Sequence, residues 1–390
     1  EPKGGGGDKI KTYSYYANFA VALCEGPVDR IGRIWADGKE FDVSDVTMRL
    51  YTGSESQQPD SLIVAKEGAG NVPAYRGLAY VVFEGLPLKR FGNRLPQLSF
   101  EVFRGGAGAE QQLRAVTIIP GSTEFGYDTA IVTRSAEEGV TDSENAHAAS
   151  GRSDWSVSLD QLTAACPNVE AASLVAAWFG TDLRCGTCEI RPGVDNAVKA
   201  TAPESWLVSG STRANAYRVS MSGDGPAYGG TPSDASVIRA IQDLKARGLK
   251  VMFHPMILMD IPAGNAKPDP YGGAAQAPYP WRGRMTASIA PGLAGTPDKT
   301  AACAAEIAAF VGTAMPSHFN ASGMSVSYSG PAQWSFRRMI LHYAKLCALA
   351  GGVDAFLLGS ELRGLTTLRR EGNVFPFVAA LRTLAAEVKA

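Results

Sequence analysis

An excess of positive charge is the first thing this sequence lacks. Lys and Arg total 37 against 38 for Asp and Glu. No basic field exists to gather a polyanion, and nucleic acid is not an expected partner. Long apolar runs are also missing: none approaches the roughly 18–20 residues that span a bilayer, so no unaided transmembrane segment is expected. Histidine is scarce, with four residues. His147 and His318 lie in polar loops and His342 lies mid-helix, without a second ligand at metal spacing, so neither a metal nor another cofactor is expected. Of the six cysteines, Cys24, Cys166, Cys303 and Cys347 sit in apolar surroundings as small hydrophobes. Cys185-Gly-Thr-Cys188 leaves plain thiols, a disulfide or half a metal site open. The clusters Gly4–Gly7 and Gly105–Gly108 lack the Gly-Lys-Ser/Thr of a phosphate loop. The N-terminus has no initiating Met, basic n-region or apolar h-region. The helical pattern from Phe377 to Val388 runs to Ala390 with no closing Gly or Pro. The expectation is a piece of a longer protein.

What is present divides by texture. Residues 1–12 read as a linker and 13–108 as a β-rich domain. Short β-type runs occur at Tyr13–Cys24, Ile31–Trp35, Met48–Tyr51, Leu78–Phe83 and Gln97–Phe103, punctuated by Gly and Pro. Asp37-Gly38 is the strongest hairpin signal, because both residues tolerate the positive φ of a tight primed turn. From 109 to 390 apolar strands alternate with amphipathic helices. The strands are expected at Leu113–Ile119, Ala172–Trp178, Leu249–His254 and Val353–Leu358. A short helix is expected at Leu159–Cys166. Ser233 caps a second, with Val237, Ile238, Ile241 and Leu244 on one face, ended by Gly248. A third has Thr296 as cap, Pro297 at its first position and Ala302–Val311 as its body. Another spans Trp334–Ala350. This alternation predicts a parallel sheet or half of a (β/α)8 barrel, and an open doubly wound sheet gives the same pattern. The fold class is α/β plus β: an antiparallel β domain followed by a partial barrel.

Two groups of motifs carry a family resemblance. Ala22-Leu-Cys-Glu-Gly-Pro-Val28, Ile34-Trp35, Asp37-Gly38-Lys39 and Val72–Glu84 resemble the hub region of long-tailed phage tail-tip proteins. Trp178–Arg184, Tyr228–Asp234, Leu258–Asp260, Pro280–Arg284 and Gly359–Leu362 look like the glycoside-hydrolase-related barrel of gene transfer agent baseplate proteins. The resemblance implies a virion component at the tail tip or baseplate, assembled in the bacterial cytoplasm. It further implies a trimer that contacts distal tail and hub proteins and meets the host envelope during DNA delivery.

The same resemblance directs attention to Glu361. In the related glycosidases a general acid/base Glu ends the fourth strand, usually after Asn; here Ser360 stands in the Asn position. Glu361 could equally cap the next turn or pair with Arg363. The partner carboxylate comes in that clan from the seventh strand, which this chain does not reach. Glu124, Asp182 and Asp260 follow other strand ends, where a loop cap or an ion pair, such as Asp182 with Arg184, is the plainer role. The loop from Asp260 to Arg284 is long and rich in Gly and Pro. Its aromatics could stack on sugars and its Arg residues bind carboxylates, or the loop could serve assembly. Trp178, Asp182, His254, Asp260, Trp281, Arg282 and Arg284 are the candidate substrate-binding residues. Three functions stay open: a structural baseplate component, a glycosidase cutting peptidoglycan or surface polysaccharide, or an inactive barrel that binds a cell-wall or surface glycan.

Overall fold

The computed structural model describes residues 13–105, 109–119, 121–137 and 139–390. The 1–12 linker, most of the 105–108 glycine cluster and Pro120 lie outside them. The chain separates into two compact units. The first runs to Gln111 and takes in Ala148–Gly151, and the second holds Gln112–His147 and Arg152–Ala390.

The first unit is built on two three-stranded antiparallel sheets. One places β5 (Leu78–Pro87) between β1 (Tyr16–Glu25) and β4 (Thr47–Tyr51); the other places β2 (Arg30–Ala36) between β3 (Lys39–Glu40) and β6 (Leu98–Phe103). The β2–β3 turn uses Asp37 and Gly38 at φ of 52° and 79°, the left-handed pair that a primed hairpin requires. Val81, Phe83 and Leu86 are fully buried from β5, and Phe83 stacks on Phe19 with ring centroids 5.0 Å apart. A short helix, α1 (Ser61–Glu67), was not signalled by apolar spacing. Asp60 organises it, accepting from Leu62 N and Ile63 N while also holding Arg49 and Tyr51.

The second unit is a mixed α/β arrangement. Its main sheet carries β7 (Ala115–Ile118), β8 (Ala171–Gly180), β10 (Lys250–Met259) and β11 (Ala355–Phe356), all parallel and side by side in chain order. The short β9 (Ile190–Arg191) joins the end of β8 in the antiparallel sense. Chain order is the order of successive strands in a barrel wall, whereas a doubly wound sheet reverses direction partway. The linking helices are α2 (Asp154–Ala165), α3 (Asp234–Ala246), α4 (Ala301–Val311) and α5 (Phe336–Leu349), followed by α6 (Pro376–Lys389). Ser153, Ser233 and Ser335 cap α2, α3 and α5 through side-chain oxygens. Ala172, Leu174, Ala176 and Trp178 from β8 meet Val251, Phe253 and Ile257 from β10 in one apolar core with α3, α4 and α5.

Two element boundaries depart from expectation, each for a local reason. The α4 helix starts at Ala301 after Thr300, not at Thr296-Pro297. Arg369 donates its backbone N–H and its guanidinium to the Asp298 carboxylate while its carbonyl accepts from Lys299 N, and Lys299 sits at φ 68°, outside a right-handed helix. The β10 strand runs through Pro255 to Met259 instead of ending at His254. Val251 and Phe253 turn their backbone groups toward β11, receiving Asp354 N and Leu357 N. Pro255, two residues on, points its missing N–H the same way, where the ladder with β11 has already stopped at Phe253. The β11 strand is correspondingly short.

Candidate functional site

Active sites of such sheets gather at the carboxyl ends of the parallel strands. Along β10, Val251, Phe253, Ile257 and Met259 face the core, so alternation turns Met252, His254, Met256 and Leu258 to the other, half-buried face. His254 therefore looks away from the helices toward the turn that follows β11. There Gly359 (φ 145°) and Glu361 (φ 58°) both leave the ordinary L-residue regions. A left-handed Glu is uncommon and marks a residue fixed by its surroundings.

Those surroundings come from the loop between Asp260 and Arg284. Trp281 Nε1 donates to Glu361 Oε2 at 3.1 Å, and Arg282 Nη2 forms an ion pair with the same oxygen. Arg282 also donates through Nε to the Ser360 carbonyl (3.1 Å) and through Nη2 to Ser360 Oγ (3.2 Å). Ser360 Oγ lies 2.7 Å from His254 Nε2. With Arg282 donating to the hydroxyl oxygen, the hydroxyl proton is free to point at the imidazole. Burial, and secondarily the Arg282 charge, hold His254 below the usual histidine range, and burial likewise lowers Arg282 against the opposing effect of Glu361. The Arg282 side chain is only 11% exposed, that of Glu361 is 51% exposed, and Trp281 is 50% exposed. Gly283 lets the indole fold back over the chain, since a β-carbon there would run into the Trp281 ring.

The loop itself is clamped by two buried carboxylates. Asp260 accepts from Tyr217 Oη (2.7 Å), Ser220 N (2.8 Å) and Ser220 Oγ (2.5 Å), while the Ser220 hydroxyl lies 3.3 Å from that of Tyr279. Asp182 binds Arg184 Nη2 (2.7 Å), Thr187 Oγ1 (3.0 Å) and Gln276 Nε2 (2.7 Å). Burial works against its charge, but the Arg184 and Gln276 hydrogen bonds outweigh it and hold Asp182 below the usual carboxylate range. Gln276 then receives Leu183 N, tying the loop to the end of β8.

Of the sequence-selected residues, the structure brings His254, Trp281, Arg282 and Glu361 together with Ser360. Asp182 and Asp260 act as loop anchors, the first bound to Arg184, Thr187 and Gln276 and the second to Tyr217 and Ser220. Trp178 is corrected: it is 0% exposed, packed on Trp334, His342 and Tyr343 on the helix side of β8, and presents no surface to a ligand. Arg284 is not at Glu361; its guanidinium lies 4.4 Å over the Tyr271 ring. Glu124 is locked by Arg213 and Lys199, the latter also 2.9 Å from Glu144 and from Asp195. Cys185 and Cys188 are buried free thiols, Cys188 pushed up to about 12 by burial. Sequence reasoning missed Tyr217, Ser220 and Gln276, whose partners lie tens of residues away and leave no local signature.

Comparison with known proteins adds the following. Residues 334–390, which hold α5, β11, Glu361 and α6, match the model of the GTA TIM-barrel-like domain. A chain from the virion of a native gene transfer agent (GTA) particle is 52% identical over 25% of this chain and 24% of its own length, with a TM-score of 0.23. The structure of a GH113 β-1,4-mannanase complex is 13% identical over 57% of this chain and 41% of its own, with a TM-score of 0.25. No curated protein matches. The match thus spans about a quarter of the length of that virion chain.

Proposed function

We propose that this chain is part of a structural protein of a gene-transfer-agent-like particle, at the tail tip or baseplate, and that the mouth of its parallel sheet holds a saccharide of the host envelope. The observation that carries the saccharide reading is the grouping of a half-exposed Trp281 with Arg282, His254, Ser360 and Glu361 at the strand ends. A flat indole beside several polar groups is the usual composition of a sugar site. The particle reading is supported by the domain match over residues 334–390 and the 52% identity to a virion chain.

Binding is favoured over turnover by the chemistry of Glu361. Its polar contacts are with a guanidinium and an indole N–H, both of which donate to it. A general acid must itself donate, and glycoside cleavage needs a second carboxylate facing the first across the scissile bond. Distal tail and hub proteins and a threefold arrangement are part of the same proposal. Gold-labelled antibody against the chain should decorate the tail tip of intact particles, and label confined to the capsid would overturn the placement. Purified chain should bind isolated envelope saccharide and lose at least about fivefold in affinity on Trp281→Ala, since stacking is worth on the order of 1 kcal/mol or more. Equal binding by the variant would remove the site.

A further inference from the structure

The ion pair at the mouth is lopsided. Arg282 is buried to 11% exposure and fixed through Ser360, whereas its counter-ion Glu361 is 51% exposed. Two donors, Trp281 Nε1–H and Arg282 Nη2–H, converge on a single oxygen, Glu361 Oε2. Glu361 reaches that point from a left-handed backbone at φ 58°. A buried cation is costly without a partner, so the position facing Arg282 and Trp281 is a receptor for an anionic oxygen that must be filled. The present occupant is the more exposed member of the pair.

We infer that Arg282 and Trp281 form a receptor for a carboxylate-bearing saccharide, with Glu361 as the internal carboxylate that occupies it until such a ligand arrives. This rests on the saccharide reading above and names its substrate class. A carboxylate replaces a carboxylate, so an anionic oxygen still faces Arg282 Nη2 and Trp281 Nε1 together. A pyranose ring carrying that group would lie against the half-exposed Trp281 indole. His254, held neutral by burial and by Arg282, adds no second fixed charge. Displacement makes Glu361 a competitor of the ligand: the apparent affinity is the intrinsic one reduced by the fraction of molecules in which the receptor is open.

The test compares oligogalacturonate with its methyl ester, titrated calorimetrically into the 390-residue chain. The acid is expected to bind at least about tenfold more tightly than the ester, with the preference shrinking as salt rises. Glu361→Gln is expected to strengthen acid binding by about three- to tenfold, by removing the competitor while keeping the side chain's size. Arg282→Gln is expected to abolish the preference; if that variant unfolds, the exposed Glu361→Gln carries the test alone. Equal binding of acid and ester overturns the inference and leaves the saccharide reading standing. Weaker acid binding by Glu361→Gln also overturns it, by making Glu361 a direct ligand of the sugar. Binding of neither probe, with envelope saccharide still bound in a Trp281-dependent manner, overturns the carboxylate class, and loss of all three overturns both readings.

Discussion

Replacing Asp260 separates a loop anchor from a ligand contact. Its carboxylate is buried and accepts from Tyr217 Oη, Ser220 N and Ser220 Oγ. In Asp260→Ala the Ser220 hydroxyl can turn elsewhere, but the Tyr217 hydroxyl and the Ser220 N–H lose their acceptor. Each orphaned buried donor costs about 1–3 kcal/mol, so the sum is about 2–6 kcal/mol. For a unit of this size that lowers the melting temperature by roughly 5–20 °C. Asp260→Asn keeps one oxygen where Oδ2 stands, and the Ser220 hydroxyl can reverse to accept from the new amide. Its expected cost is about 1–2 kcal/mol. Urea and thermal unfolding followed by near-ultraviolet circular dichroism would read the second unit's transition. An Ala variant that unfolds within about 1 kcal/mol of the parent would refute the anchoring role and return Asp260 to the list of ligand contacts.

Other outcomes follow from the same structure. Gly283→Ala should push the Trp281 indole out of place and weaken saccharide binding by at least about fivefold, with stability kept within about 1 kcal/mol; a binding isotherm matching the parent's would contradict the contact. Lys199→Met leaves Glu124, Glu144 and Asp195 without their shared cation and should cost about 3–5 kcal/mol in urea unfolding. His254 should titrate by nuclear magnetic resonance below the ordinary histidine value of about 6.5. Because its folded pKa is depressed, its contribution to stability is full above the unfolded pKa and is lost as pH falls through the folded pKa. A midpoint above about 6.5 would mean that Glu361 outweighs burial and Arg282 there. Asp182, also depressed, should likewise support the fold above about pH 4 and withdraw that support as pH falls through its folded value.

How much was legible depended on where each residue's partners lie. The α3 helix was readable because Ser233, its buried face and Gly248 fall within one stretch of chain. So was the Asp37-Gly38 turn, which needs only the φ tolerance of its two residues. The α4 start was misplaced because Thr296-Pro297 satisfies the local rules while Arg369, far along the chain, pins Asp298 and Lys299 outside the helix. Trp178 lies in a motif with Asp182, and motif membership does not say which face of β8 a side chain takes. Packing against α5 decides that. The Asp260–Arg284 loop and Glu361 share a face because both follow parallel strands, whereas the part of Arg282 in joining Ser360 to Glu361 left no local signal, since it depends on a three-residue helical turn at Arg282–Arg284.

Whether the strand-end mouth around Trp281 receives a saccharide can be read from the six tryptophan indole N–H resonances. The Trp281 indole donates to Glu361, so a ligand entering there must perturb it, whereas Trp178 and Trp206 are buried away from solvent. On titration with envelope saccharide the Trp281 resonance should shift progressively while those of Trp178 and Trp206 stay fixed. Saturating binding that leaves the Trp281 resonance unmoved would contradict it.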